Sequence, residues 1–347
     1  MRLLDRILYY KVAPRQIRYL KSIDYGAAAG LAGAVMQQME TDFLVGPPLT
    51  VHMPHPELMA GLWSLCRECL AARCIPRTSG DVIAGTVSRL NECPYCFSIH
   101  TSMLHSFDAP ELADAVLADR PIADEQANAL ACWAAATLTP GAAILKTPPF
   151  TAAQAAQVIG TAICFHYLNR IVNVFLDPMP GSTVSWLKSP MSRMNGRIMR
   201  QRLSSQRLAP GRFLNSDPAI ELPAEFRWAA GDANIAGGAR RFIAAAEAAG
   251  HESVNPSVRS CVLERIQTWN GEAPGLGRGW LEEAVAPLRE TLRPSARLAL
   301  VTALAAYQMD EGIVASFRAI QPRDRDLINT AAWGSYSAAR RIASWLI

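Results

Sequence analysis

The stretch from Asp81 to His100 reads D-V-I-A-G-T-V-S-R-L-N-E-C-P-Y-C-F-S-I-H, and it gathers two cysteines, a histidine and a carboxylate within a short run. Ile83, Val87 and Leu90 recur at helical spacing, so a helix with one buried face is expected over about 79–90. Asn91 is a natural stop, and Cys93-Pro94 reads as the start of a second helix, because proline at the first helical position loses no hydrogen bond. Cys96 then falls in the opening turn, where unpaired N–H groups and the positive end of the helix dipole favour a thiolate. A free thiol with pKa ~8.5 is mostly protonated at neutral pH, and lowering it by about two units would make the nucleophile the main species. His100, four residues after Cys96, shares its helical face and is a candidate proton acceptor. Cys93, three residues before Cys96, is close enough to form a disulfide with it. Asp81 on the preceding helix is placed to orient His100, directly or through water.

The pattern P-R-x3-D-x5-V-S-x-L-N-x-C-P-Y-C-x3-H-T resembles the core of the AhpD-like, or carboxymuconolactone decarboxylase, superfamily, whose thiol members are alkylhydroperoxidases. That family carries a glutamate twelve residues before a C-x-x-C and a histidine four residues after the second cysteine; the matching residues here are Asp81, Cys93, Cys96 and His100. The resemblance implies that Cys96 attacks peroxide, Cys93 resolves the oxidised sulfur, and His100 with Asp81 relays the proton. It also implies an external dithiol reductant, lipoamide-linked or thioredoxin-like; nothing in the sequence itself suggests a bound flavin, haem or nicotinamide, and no metal is expected. Two positions depart from the pattern: Asp81 is one methylene shorter than the glutamate, and Tyr95 stands where peroxidase members carry a second histidine. The likeness continues through A-D-E-Q-A-N-A-L-A (123–131) and Y-L-N-R-I-V-N-V-F-L (167–176), where it gives Asn169 and Arg170 a mainly structural role.

Composition bounds the rest. Half the residues are hydrophobic, only 18% are charged, and strand-type alternation is scarce, so an all-α fold is expected. A length of 347 residues leaves room for two domains, each with its own core. A net charge of +4, without basic residues interleaved with aromatics, argues against nucleic-acid binding. Eight cysteines are too few and uneven for a disulfide scaffold, and a C-x-x-C beside a histidine suits a reducing, cytoplasmic setting. The start, R-L-L-D-R-I-L-Y-Y-K-V-A-P-R, lacks the features of a signal peptide and is expected as a helix packed on the body rather than on a membrane surface. No run is expected to reach the roughly 20 apolar residues of a membrane span.

Four segments follow: a helical arm over 1–44, a thiol domain over 45–180, a linker over 181–215 and a second domain over 216–347. His52 and His55, beside prolines, read as loop residues. Cys66 and Cys69 form a second C-x-x-C, but both pairs sit in helical patterns rather than glycine-bearing knuckles, which disfavours zinc. Cys66, Cys69 and Cys74 are expected on a buried helix face, and Cys132, Cys164 and Cys261 as inert core. His105 is expected on the polar side of its helix and His166 as a hydrogen-bonded core histidine. Helices are expected over 111–118, over 124–138 starting at Asp124, and from Thr151 to Leu176, with a loop over 139–150. The arginine-rich run after Pro190 reads as a solvated connecting helix.

A faint internal repeat sets Val301-Thr302-Ala303-Leu304 against Val87-Ser88-Arg89-Leu90, which places Tyr307, Asp310 and Val314 where Cys93, Cys96 and His100 stand. The final A-R-R-I-A-S-W-L-I echoes L-N-R-I-V-N-V-F-L. These matches suggest a duplicated AhpD-like bundle whose second copy has lost its thiols and serves as an internal partner, leaving self-association open. Three functions are compatible with this sequence. The foremost is a dithiol peroxidase acting on hydroperoxides. The others are a non-redox decarboxylase or lactone enzyme using His100 and Asp81, and a redox-sensing interaction protein.

Overall fold

Prolines and short polar side chains set the helix starts. Pro56, Pro94, Pro110 and Pro256 each open a helix, and Asp124, Asp232, Asn255 and Asp310 each accept a backbone N–H from the first turn that follows. The computed structural model describes residues 13–21, 25–43, 45–72, 74–107, 109–178 and 208–346. The amphipathic start at 1–12 and nearly all of the basic run after Pro190 lie outside them. The described residues form an all-α structure, with one isolated antiparallel bridge between Ile17 and Leu176.

In chain order the helices are Gly30–Asp42 (α1), Pro47–Thr50 (α2) and Pro56–Cys66 (α3), which continues as a π-helical turn at Arg67–Ala71. Arg77–Leu90 (α4), Pro94–Ser106 (α5), Pro110–Leu117 (α6), Glu125–Ala135 (α7), Ala143–Lys146 (α8) and Ala152–Phe175 (α9) complete the first half. The second half contains Ala233–Ser253 (α10), Pro256–Gln267 (α11), Gly279–Val285 (α12), Arg293–Leu304 (α13), Glu311–Arg318 (α14) and Asp324–Ala343 (α15). The short helix α8 interrupts the loop expected over 139–150.

Helix α9 starts at a reciprocal cap between Thr151 and Gln154 and is buried along most of its length. Its 24 residues are long and apolar enough to cross a membrane, which corrects the expectation that no stretch reaches that threshold. Within the protein, 94% of that apolar window is buried among other helices. Helix α4 packs on α5, α7 and α9, while α9 packs on α15 and α3 packs on α10.

The buried apolar residues form one continuous cluster from Tyr25 to Leu346, drawing on both halves, where the chain length had suggested two separate cores. A smaller cluster, including Val82, Leu104, Ala113, Val116 and Ile122, lies beneath α5 and α6. Two glycines set the closest approach across the seam. A Cβ added at Gly61 of α3 would lie 2.7 Å from the Arg241 carbonyl oxygen of α10, and one at Gly238 of α10 would lie 2.8 Å from the Ser64 carbonyl oxygen of α3.

Several local expectations are corrected. His52 and His55 are buried: the Tyr167 hydroxyl donates to His52 Nε2 at 2.8 Å, and His55 Nδ1 donates to Asn329 Oδ1 at 2.6 Å, linking the two halves. The His105 side chain is buried, 3.8 Å from Asp114, rather than on a polar face. Cys74 and Cys132 are exposed and Cys261 is half-buried, so only Cys164 of the three expected inert thiols lies in the core. Cys66 and Cys69 are buried and gather with Cys164 of α9.

Candidate active site

The turn between α4 and α5 places the thiols. Cys93 N–H donates to the Ser88 carbonyl at 2.9 Å and Glu92 N–H to the Arg89 carbonyl at 3.0 Å, the pair of bonds of a Schellman ending. Glu92, with φ of 49°, occupies the left-handed position that such an ending requires. The reversal is tight enough that the chain passes directly into α5, with Cys93 as its N-cap and Pro94 in its first turn. Cys96 follows in the opening turn, as the spacing predicts.

Both cysteines are buried, with Cys93 1% and Cys96 3% exposed, and neither forms a disulfide. Burial pushes the Cys96 thiol well above its ordinary value, the neighbouring Cys93 adds to the rise, and a hydrogen bond from the Asn169 side chain opposes it. The low-pKa thiolate expected from the helix start is therefore not the resting form.

His100 lies one turn further along α5. Its Nδ1 is 3.0 Å from Asp81 Oδ1, so Nδ1–H donates to the carboxylate and Nε2 is the ring nitrogen left to face the site. The shorter Asp81 therefore reaches the imidazole directly. Phe165 of α9 packs edge-on against the ring with centroids 4.5 Å apart. Asp81 Oδ2 is buried without a hydrogen-bond partner, and Arg77 Nε lies 4.0 Å from it. Among the described residues no hydrogen bond joins His100 to either sulfur. The dithiol and His100 thus share α5 while Asp81 reaches the ring from α4, and helix geometry rather than a direct bond relates the sulfurs to the His–Asp pair. Tyr95, where family members carry a second histidine, donates from its hydroxyl to Gln16 Oε1 at 3.4 Å.

Helix α9 closes the far side with a polar network. Asn91 Nδ2 lies 3.1 Å from both Asn169 Oδ1 and His166 Nδ1, and His166 Nε2 donates to Thr137 Oγ1 at 2.8 Å. His166 is completely buried, and its pKa lies well below the ordinary imidazole value because burial disfavours the charged ring. Arg170 Nη1 donates to Asn91 Oδ1 at 3.1 Å and Arg170 Nε donates to the Ala303 carbonyl of α13 at 2.7 Å. Burial lowers the Arg170 pKa to about 10, which leaves it charged at neutral pH. The sequence singles out the cysteines, His100 and Asp81, and it gives Asn169, on a helix expected to approach the site, a mainly structural role. Its spacing within an apolar helix carries no sign that it faces a sulfur.

A protein of Mycobacterium tuberculosis (strain ATCC 25618 / H37Rv) named alkyl hydroperoxide reductase Rv2159c is 30% identical to this chain over 334 residues, covering 95% of each. This chain belongs to the AhpD-like family. No family model and no solved structure matches it. For an AhpD-like protein, the identity spans both halves rather than only the thiol-bearing segment, so the relative shares the whole arrangement of the chain.

Proposed function

We propose that this protein is a dithiol peroxidase that reduces alkyl hydroperoxides. The observation that carries the reading is the pair of buried, free thiols at the start of α5, one turn from an imidazole already paired with a carboxylate. The name of the mycobacterial relative supports the same reaction class.

In this reading Cys96 loses its proton as the hydroperoxide binds, and His100 Nε2 accepts it through a bound water or the peroxide hydroxyl. The thiolate attacks the O–O bond to give a Cys96 sulfenic acid, and the departing alkoxide takes the proton back from His100 to leave as an alcohol. The Cys93 sulfur then displaces hydroxide from the sulfenic acid, which leaves as water after taking the Cys93 proton and closes a disulfide. An external dithiol, lipoamide-linked or thioredoxin-like in a reducing cytoplasm, restores both thiols by exchange. The cysteines, His100 and Asp81 thus form the proposed machinery, with no bound cofactor required.

The second half is proposed to be a degenerate AhpD-like copy. Support comes from the packing across the seam, α3 against α10 and α9 against α15, and from the reciprocal approach at Gly61 and Gly238. One residue of the expected alignment needs a shift: Asp310 caps α14 as Cys93 caps α5, so it matches Cys93 in its place on the helix rather than Cys96.

The test is to count thiols in the reduced protein before and after one equivalent of an alkyl hydroperoxide. Native protein should lose two thiols, and Cys96→Ser should lose none. If the native count does not change, the proposed reaction is wrong.

A further inference from the structure

Asn169 sits in the middle of α9, fully buried, with every atom of its amide assigned by its neighbours. Arg170 can only donate, so the Asn91 atom it meets at 3.1 Å is the amide oxygen, which turns Asn91 Nδ2 towards α9. Asn91 Nδ2 then donates towards Asn169 Oδ1 at 3.1 Å, and this fixes which end of Asn169 is the carbonyl. One N–H of Asn169 donates to Ser88 Oγ at 3.1 Å; the Ser88 hydroxyl has already given its proton to the Ala84 carbonyl at 2.7 Å and can only accept. One N–H is left without a nitrogen or oxygen partner, and the Cys96 thiol is the neighbouring group whose ionisation the Asn169 side chain favours. A buried amide N–H with no partner is costly, so the sulfur and the amide depend on each other.

We propose that Asn169 is a catalytic hydrogen-bond donor to the Cys96 thiolate, and that Asn91, Arg170 and the Ala303 carbonyl of the second half are positioning groups that hold its amide in place. The inference rests on Cys96 being the attacking sulfur. A preorganised donor of this kind needs no reorientation when charge develops, and it acts in a setting where water is excluded. It opposes the effect of burial at the atom where negative charge must form. The second half, which carries no C-x-x-C, reaches Arg170 through the Ala303 main-chain oxygen and through the Trp269 ring, whose centroid lies 5.8 Å from the guanidinium carbon.

The titratable and charged groups on the helices packed around Cys96 are Cys93 and His100 on its own helix, Asp81 and Arg77 on α4, and His166 and Arg170 on α9. His105 and its partner Asp114 on α6 lie further along α5. Replacing Asn169 removes the donor and none of these charges.

The experiment is pH-dependent alkylation of the reduced, full-length protein with iodoacetamide, with each cysteine followed by mass spectrometry, in native protein and Asn169→Leu. The Cys96 midpoint should move up by about one unit and its alkylation at neutral pH slow by roughly tenfold. Cys66 and Cys164 should stay protected. An unchanged Cys96 midpoint overturns the proposal. So does faster alkylation of Cys96 together with Cys66 and Cys164, because that is the signature of a residue that only holds the fold. Asn169→Ala, which adds no bulk, gives the same readings if the leucine variant does not fold by circular dichroism. The measurement contains no peroxide, so it decides the role of Asn169 whether or not the protein turns out to reduce hydroperoxides.

Discussion

At Cys96 the helix start and burial pull the thiol in opposite directions, and burial wins in the resting protein. Because the pKa is raised, the thiolate fraction grows as pH climbs through and beyond the ordinary thiol range. The rate of peroxide-dependent thiol loss should therefore keep increasing from pH 7 to pH 10, and stopped-flow mixing across that range checks it; a plateau from neutral pH upward would mean an already ionised sulfur. Asp81→Asn keeps an acceptor for His100 Nδ1 but removes its charge, so the peroxide rate should fall by about a hundredfold with the fold intact. Asp81→Glu, which restores the longer carboxylate, should cost less, and steady-state kinetics of both variants distinguishes orientation from charge. At this scale the sequence showed what is local: Cys93, Cys96 and His100 lie within three turns, and Asp81 is one helix away. It concealed Asn169 and the burial of His52, His55 and His105, because those environments are made by helices distant in the chain.

At the scale of elements, the α4–α5 turn was legible because its signals are short-range: Asn91 as the stop and Cys93-Pro94 as the restart. The left-handed Glu92 was not, since glycine is the residue that usually marks such a position. Glu92→Gly relieves that strain at the cost of a floppier unfolded chain, so it should raise stability by up to about 1 kcal/mol, read from thermal melting. The seam between halves gives the opposite case. Gly61→Ala puts a methyl 2.7 Å from a carbonyl oxygen of the facing helix. Backbone cannot yield as a side chain can, so stability should fall by about 2 kcal/mol, with Gly238→Ala behaving alike. The close approach was invisible in sequence because a glycine inside a helix signals small size without naming its neighbour.

For the whole molecule, the all-α class followed from the alanine-rich, charge-poor composition, whereas the single core did not, since length alone cannot say whether two halves share an interior. That interior also holds titrating groups in their neutral forms, which limits stability at both ends of the pH scale. Burial lowers His52 to about 4 and takes His166 well below its usual value, so the unfolded chain binds these protons first. Their contribution is complete above pH ~6.5 and is lost as pH falls towards the folded value. Cys66, Cys96 and Cys164 are pushed well above the ordinary thiol value and Tyr25 up to about 12. The thiols' contribution is present below their ordinary pKa of ~8.5 and is lost as pH rises beyond it, and that of Tyr25 is lost above the ordinary phenol pKa of ~10. Urea unfolding midpoints should therefore peak between those limits.

The link from α13 to Arg170 is made by a main-chain oxygen, and no substitution at position 303 can delete a main-chain oxygen. Only a change that displaces the end of that helix breaks the link. Apart from Trp269, whose ring packs on Arg170, the second half can accordingly drift in most of its side chains while its shape stays under selection, and harmful variants there should cluster where helices are shifted rather than where particular chemical groups are lost.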